Sequence, residues 1–275
     1  VFTSQPTVEG AGVRLKRAFG YHQAPRLDPF LMLDDFHSSD PADYIAGFPW
    51  HPHRGIETIT YILEGRVEHG DSMGNKGVIG SGDVQWMTAG SGIIHQEMPQ
   101  KTPSGMMWGF QLWANLPASH KMMPPRYRDV MADDIPLVTL DNGVVARIIS
   151  GEVGGVRGPV RDIVIDPVLM DISIPAGAVF NQPVKDGYTA LAYVLIGKAW
   201  FDVAKEQEIG PERLVLYEHT GGRLIITAMD KPVRLLFLSG KRLNEPVAWK
   251  GPIVMNTEEE LRIAYEEYRQ GTFVK

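Results

Sequence analysis

Short apolar runs separated by glycine, proline, aspartate or asparagine recur along the chain. Four of them are IETITYILEG, DVQWMTAG, MMWGFQLWANL and RLLFLSG. These runs are too short for independent helices and are rich in β-branched and aromatic residues, so the pattern predicts strands. Within TITYIL, alternate residues share a face, which places Thr58 and Thr60 on one side and Tyr61 on the other.

One segment has the pattern of a helix. Thr257 and Glu260 have the spacing of a capping box, and an apolar face follows that ends near Gly271. The members of this face are Leu261, Ala264, Tyr265 and Tyr268. By contrast, residues 116–138 contain four prolines and no sustained period, so we expect a linker or strap there.

Two segments resemble each other at an offset of 132 positions. TITYILEG pairs with ALAYVLIG, which aligns Tyr61 with Tyr193 and Gly65 with Gly197. The repeat predicts two tandem β-barrel domains, with boundaries expected at 1–130 and 131–275. It also predicts that the halves differ chemically. His51, His53 and Glu57 correspond to Pro183, Lys185 and Thr189.

Histidines and carboxylates cluster where apolar strands begin or end. In WHPHRGIE, His51 and His53 are two residues apart, and in HQEMP the same spacing separates His95 from Glu97. Residues two apart in a strand face the same side, so each pair converges if the strands are neighbours. Three imidazoles with one or two carboxylates suit a first-row transition metal, and these ligand types accept Zn, Fe, Mn, Ni, Co and Cu alike.

The alternative is that these histidines are hydrogen-bonded core residues, as most lone buried histidines are. Burying a group of such polar side chains without partners is costly, which favours the metal interpretation. For the remaining histidines we expect solvated or capping roles. These are His22, His37, His69, His120 and His219.

Composition narrows the class of protein further. The chain has 275 residues, a net charge of −6 and a pI near 5.8, so it lacks the basic character of nucleic-acid or anionic-membrane binders. It has no cysteine, which excludes disulfides and thiolate ligands. No stretch reads as a signal peptide or a membrane span, and a cytoplasmic protein is the expectation.

Several segments closely resemble the pirin family of the cupin superfamily. They are HPHRGIETITYILEG, GDVQWMTAGSGIIHQEMP, FQLWANLP, HKMMPPRYRD and EPVAWKGPIVMNTEEEL. The resemblance runs along nearly the whole chain. It implies an all-β bicupin: two tandem cupin β-barrels (double-stranded β-helices), the first metal-binding and the second degenerate, with a short C-terminal helix.

The resemblance also implies a ligand set. Pirins bind one iron through three histidines and one glutamate, which by motif are His51, His53, His95 and Glu97. Many cupins instead take the carboxylate from the first motif, where Glu57 stands. We expect Glu97 to be the ligand and Glu57 to lie behind the ligands or in the pocket. Other divalent first-row metals remain possible in place of Fe2+ or Fe3+.

Several pirin-like proteins are similar to quercetin 2,3-dioxygenases, that is, quercetinases. The implied reaction is the oxidative ring-opening of a flavonol by O2 with loss of carbon monoxide, in which Glu97 could take the flavonol hydroxyl proton. We expect further residues to line the pocket or support the ligands. These candidates are Arg54, Glu57, Phe48, Trp50, Met73, Trp86 and Met106.

Two other functions are implied or considered. Pirins are also known as iron-binding, redox-sensitive partners of transcription factors and metabolic enzymes, and protein partners are compatible with the acidic pI. A cupin isomerase acting on a sugar is disfavoured, because no basic phosphate-binding set accompanies the histidines. We expect no direct contact with nucleic acid or membrane.

Overall fold

The computed structural model describes residues 1–219 and 222–275 and is built mainly of strands. The first twelve strands are β1 (Phe2–Thr3), β2 (Gln5–Glu9), β3 (Val13–Phe19), β4 (Phe30–Ser38), β5 (Phe48–His53), β6 (Ile56–Glu64), β7 (Val67–Asp71), β8 (Lys76–Ile79), β9 (Val84–Thr88), β10 (Ile93–Pro99), β11 (Met107–Asn115) and β12 (Arg126–Val130).

The remaining strands are β13 (Leu137–Thr139), β14 (Val145–Ser150), β15 (Glu152–Val153), β16 (Val156–Arg157), β17 (Val168–Ile174), β18 (Val179–Pro183), β19 (Tyr188–Ile196), β20 (Ala199–Trp200), β21 (Glu208–Ile209), β22 (Arg213–Leu216), β23 (Arg223–Ala228), β24 (Val233–Lys241), β25 (Ala248–Lys250) and β26 (Ile253–Met255). The α-helices of the described residues are α1 (Ala24–Leu27) and α2 (Glu258–Gln270). None of these helices is long and apolar enough to cross a membrane.

The chain divides into two compact units, each a cupin barrel. We call the first barrel the unit formed by Gln5–Arg26, Phe30–Ala132 and Leu243–Lys275. Among its described residues, a seven-stranded sheet runs in the order β12-β9-β6-β11-β4-β3-β2 and a four-stranded sheet in the order β5-β10-β7-β8. Apolar side chains from both sheets fill its interior, among them Leu15, Ile62 and Val67.

The second barrel repeats this plan. It comprises Val1–Ser4, Leu27–Pro29 and Asp133–Arg242. Its described residues form a seven-stranded sheet in the order β1-β22-β19-β24-β17-β14-β13 and a four-stranded sheet in the order β18-β23-β20-β21. Six strands of the two seven-stranded sheets match in order, β9 to β2 with β22 to β13, so that β6 corresponds to β19 and β11 to β24. The edge strands β12 and β1 come from different places in the chain. The two-barrel fold predicted from the repeat is therefore confirmed.

The C-terminal segment differs from the predicted division at residue 130. The capping box of Thr257 and Glu260 is present, and Gly271 ends α2 in the left-handed conformation. However, α2 packs on β25 and β26 and its segment belongs to the first barrel, not to the second. The reason is burial: Leu261, Ala264 and Phe273 form one apolar cluster with the β25–β26 hairpin.

Residues 116–138 are more ordered than the predicted linker. β12 lies at the edge of the seven-stranded sheet of the first barrel, where it pairs with β9. Before it, Lys121 is 1% exposed, and its ammonium group donates to the carbonyls of Gly55 and Val254 and to Asn115 Oδ1. The prolines misled the prediction because they lie outside β12, at positions 117, 124, 125 and 136, and so flank the strand without interrupting it.

Candidate metal centre

The four predicted ligands lie on two neighbouring strands of the first barrel. β5 and β10 pair antiparallel, with His51 opposite His95 and His53 opposite Ile93. A bulge after His95 shifts the register, so that Glu97 lies opposite Phe48. Directly opposite residues in antiparallel strands share a face, so this pairing brings the two His-containing motifs together.

The turn before β10 requires the glycines that the sequence places there. Gly92 has a φ of +140°, and a Cβ atom on it would approach the Phe273 carbonyl oxygen to 2.7 Å. Gly90 has a φ of +50°, and its Cβ would meet the Met123 carbonyl oxygen at 2.1 Å. A side chain at either position would therefore displace the backbone that aims His95.

Three imidazoles form a compact group at this point. Ligand atoms of His51, His53 and His95 all lie within 4.8 Å of one another. His53 and His95 are buried. Burial, followed by the neighbouring imidazoles, lowers the pKa of both His53 and His95 well below 6.5. They are therefore neutral near pH 7, which is the form that binds metals.

Hydrogen bonds fix which nitrogen atoms face the centre of the group. His51 Nδ1 donates to the Pro49 carbonyl at 2.8 Å, and His53 Nδ1 donates to the Pro252 carbonyl at 3.1 Å. When both rings are neutral, the Nε2 lone pairs of His51 and His53 face each other at 3.0 Å, an arrangement that repels unless a proton or a metal cation lies between them.

His95 provides the clearest sign that the group fits a metal. Both of its ring nitrogens are buried without a hydrogen-bond partner among the described residues. Leaving such atoms unsatisfied costs about 1–3 kcal/mol each. A bound cation would satisfy the nitrogen that faces His51 and His53, so the donor set fits a first-row metal.

Glu97 follows His95 on the same face of β10 and lies outside the compact group of imidazoles. Its buried carboxylate accepts a hydrogen bond from the Thr60 hydroxyl, with Oγ1 and Oε1 2.6 Å apart. Burial raises the pKa of Glu97 above its ordinary value. The side chain lines the same cavity as His51 and His53.

This cavity has a volume of about 580 Å³ and opens beside the imidazoles. Part of its lining is aromatic. The Trp113 ring centroid lies 5.0 Å from that of His53 and 6.1 Å from that of Trp249. The Trp249 and Tyr21 ring centroids are 5.5 Å apart. The lining next to these rings is polar and includes Arg17, Asp34 and Gln111, the last of which is two residues from Trp113 on the same face of β11. Such a cavity suits a flat molecule with polar groups along one edge.

The predicted pocket residues are only partly in this cavity. Phe48 lines it. The described lining does not include Trp50, Met73, Trp86 or Met106. Trp50 is 51% exposed and Met73 43% exposed, so both face solvent. Strand alternation alone could not show which apolar residues at a barrel mouth turn inward.

Glu57 and Arg54 also lie away from the cavity. Glu57 is three residues from Thr60, hence on the opposite face of β6, and its Oε2 accepts hydrogen bonds from Trp86 Nε1 and Thr88 Oγ1. Burial raises the pKa of Glu57 to about 7. Arg54 instead holds the C-terminal segment, because its guanidinium contacts Glu267 at 2.7 Å and lies over the Phe273 ring.

Sequence analysis did not identify the walls of the cavity or the buried position of His69. Arg17, Asp34 and Trp249 come from segments distant in the sequence, and only the strand register brings them together. His69 was expected to be solvated, but it is 2% exposed, and its Nε2 lies 2.6 Å from the Tyr127 hydroxyl. It stands directly opposite Glu97 on β7, whose alternation could have indicated an inward side chain.

A two-barrel cupin with a histidine cluster in its first barrel is the class that the fold and the site define. The family model described as "Pirin" matches residues 12–114, and that described as "Pirin C-terminal cupin domain" matches residues 169–274. The chain belongs to the pirin family.

Individual relatives agree with this assignment. A pirin-like protein of Caulobacter vibrioides is 43% identical over 274 residues, which cover 99% of this chain and 97% of the relative. Pirin of Mus musculus is 38% identical over 271 residues, covering 97% and 90%. The crystal structure of a quercetin 2,3-dioxygenase from Acinetobacter baumannii matches with a TM-score of 0.90 and 31% identity, covering 100% of this chain and 97% of that one.

Proposed function

We propose that this protein is a metal-dependent dioxygenase that opens the ring of a flavonol such as quercetin, using O2. The observation that carries the proposal is the position of the three imidazoles beside a cavity whose lining has an aromatic part and a polar part. The similarity to the Acinetobacter quercetin 2,3-dioxygenase supports it. The regulatory alternative has no comparable support, because nothing in the described surface identifies a protein partner.

The metal site of the proposal consists of His51, His53, His95 and Glu97, with one iron as the expected ion. When bound, such an ion would supply Lewis acidity and an open coordination position beside the cavity. Other first-row divalent metals suit the same nitrogen and oxygen donors.

The side chains of the cavity have separate roles in the proposal. The rings of Trp113 and Trp249 stack on the substrate and exclude water from the reacting carbon atoms. Gln111 and Asp34, next to these rings in the lining, bind hydroxyl groups of the substrate, which sets the orientation of its ring. Glu97, at the cavity wall, accepts the proton of the substrate hydroxyl.

Turnover of quercetin tests the proposal directly. Protein loaded with Fe2+ should consume O2 and bleach the visible absorbance of quercetin, and His53→Ala should abolish both signals. Lys185→Ala is the matched control, because Lys185 stands at the corresponding position of the second barrel. Absence of turnover with iron, manganese, cobalt, nickel and copper alike, despite bound metal, would contradict the dioxygenase assignment.

A further inference from the structure

A row of polar side chains crosses the seven-stranded sheet of the first barrel and reaches the candidate metal centre. Its members stand directly opposite one another on five successive strands. They are Gln85, Thr60, Gln111, Asp34 and Arg17. We call this set the polar row. Residues directly opposite each other share a face, and Thr60 places that face on the side of Glu97.

The middle of the polar row is hydrogen-bonded to Glu97. Thr60 Oγ1 lies 2.6 Å from Glu97 Oε1 and 2.8 Å from Gln111 Oε1. A hydroxyl carries one proton and Glu97 as a carboxylate can only accept. With Glu97 as a carboxylate, the Thr60 proton goes to Glu97, and the contact with Gln111 becomes a hydrogen bond when the amide is turned so that its NH2 group donates to Thr60.

The end of the polar row is also fixed. Arg17 donates two hydrogen bonds to Asp34, at 2.8 and 2.7 Å, and its guanidinium contacts Glu9 at 2.9 Å. Asp34 is buried, so this pair is held in one geometry beside Gln111. The polar row thus presents an ordered wall to the cavity while its middle supports Glu97.

The second barrel has a corresponding row that is apolar throughout. The sequence repeat aligns Thr60 with Ala192, and the strand register of the second barrel gives the other counterparts. In the same order they are Val215, Ala192, Phe237, Met170 and Ile148. All of them belong to the buried apolar core of that barrel.

This contrast separates what the fold needs from what the site needs. The second barrel shows that the fold accepts apolar residues at every position of the row. A buried polar row is harder to satisfy than an apolar one, since each missing hydrogen bond is costly. The polar row occurs in the barrel with the imidazoles and is lost in the barrel where Pro183 and Lys185 replace them.

We propose that the polar row is the supporting layer of the metal site, in which Thr60, held by Gln111, is a positioning residue that fixes the Glu97 carboxylate. The inference rests on the proposed function, specifically on Glu97 as the fourth ligand. Partners of this kind orient metal ligands, and their loss lowers metal affinity by roughly ten- to a hundredfold.

Isosteric substitution at residue 60 tests the role. Thr60→Val keeps the shape and removes the hydroxyl, whereas Thr60→Ser keeps the hydroxyl. With Co2+ as the probe, Thr60→Val should bind about ten- to a hundredfold more weakly in chelator competition and show an altered visible spectrum. Thr60→Ser should restore both. Because Thr60→Val also removes a buried hydrogen bond, its metal-free form should melt at a lower temperature than the metal-free wild type, and Thr60→Ser should restore most of that loss.

Thr58→Val is the matched control. Thr58 lies two residues away on the same face of β6, is buried, and has no hydrogen-bond partner for its hydroxyl among the described residues. Its substitution should leave the Co2+ affinity and spectrum unchanged. If Thr60→Val does not fold, Gln111→Leu breaks the same chain one residue further out and should weaken Co2+ binding in the same direction.

Glu97→Gln distinguishes the two ways in which the inference can fail. If Glu97→Gln leaves the Co2+ spectrum unchanged, the proposed ligand set is wrong and the positioning role falls with it. If Glu97→Gln changes the spectrum but Thr60→Val behaves like wild type, the metal site stands and the polar row has no positioning role.

Discussion

Glu57 is a buried carboxyl whose environment favours its neutral form. It is 0% exposed, and its Oε1 has no hydrogen-bond partner among the described residues. Burial raises its pKa from 4.5 to about 7. The folded protein therefore binds a proton here more tightly than the unfolded chain, so the stabilisation is complete below pH 4.5 and is lost as the pH rises through 7.

Glu57→Gln should remove this pH dependence. The amide oxygen can still accept from Trp86 and Thr88, but the amide does not titrate. We expect the unfolding free energy of wild type, relative to the variant, to fall by about 3 kcal/mol between pH 4.5 and 8 in urea denaturation. Glu64→Gln, at the exposed end of the same strand, is the control. Its unfolding free energy should depend on pH in the same way as that of wild type. A constant difference between wild type and Glu57→Gln would refute the prediction.

Lys121 joins three separate parts of the first barrel. Its ammonium group lies 2.9 Å from the Gly55 carbonyl, 2.7 Å from Asn115 Oδ1 and 2.9 Å from the Val254 carbonyl. Burial lowers its pKa to about 7. Lys121→Met fills similar space but removes the donor to three buried oxygens, of which the Gly55 carbonyl still accepts from the Leu116 N–H. We expect it to lower the unfolding free energy by roughly 2–3 kcal/mol. Lys101→Met, at an exposed position, should have no measurable effect, and equal effects of the two substitutions would contradict the role.

At the residue scale, the sequence predicted the histidines that converge better than the residues around them. The two-residue spacing within each motif determines which side chains share a face, so His51, His53 and His95 could be found. The cavity wall depends on the pairing of strands far apart in the chain, such as Arg17 on β3 with Asp34 on β4, and no local pattern encodes that register.

Among the elements, α2 is the one whose local signals and observed structure agree most closely. Thr257 accepts from the Glu260 N–H, and the Glu260 side chain accepts from the Thr257 N–H, so both parts of the capping box are formed. Its docking site could not be predicted, because amphipathicity specifies a buried face but not the surface that covers it.

Thr257→Ala should lower the unfolding free energy by about 1 kcal/mol, since it exposes the first backbone N–H groups of α2 without a partner. Thr257→Ser keeps the capping oxygen and should restore most of the loss. Urea denaturation followed by far-UV circular dichroism measures both. A Thr257→Ala variant as stable as wild type would mean that the docking of α2 does not depend on its cap.

At the scale of the whole molecule, each terminus belongs to the barrel that is formed mainly by the other half of the chain. The N-terminal β1 pairs with β22 of the second barrel, and Ser4 contacts the Tyr193 hydroxyl there. The C-terminal segment belongs to the first barrel, where the Pro252 carbonyl accepts a hydrogen bond from His53 Nδ1. A simple cut of the sequence into an N-terminal and a C-terminal domain missed this, because the repeat reports only the strands that the two halves share.

This exchange of termini predicts different effects for two deletions. Removing residues 243–275 takes away the partner of His53 Nδ1 and the Phe273 cover of Gly92, so the protein should retain no stoichiometric iron after dialysis against metal-free buffer. Removing residues 1–4 affects only the second barrel, and one iron per chain should remain, with a lower melting temperature. Elemental analysis of both proteins decides the outcome. Iron retained without residues 243–275 would show that β5 and β10 suffice to hold the imidazoles and that the Pro252 carbonyl is not needed to orient His53.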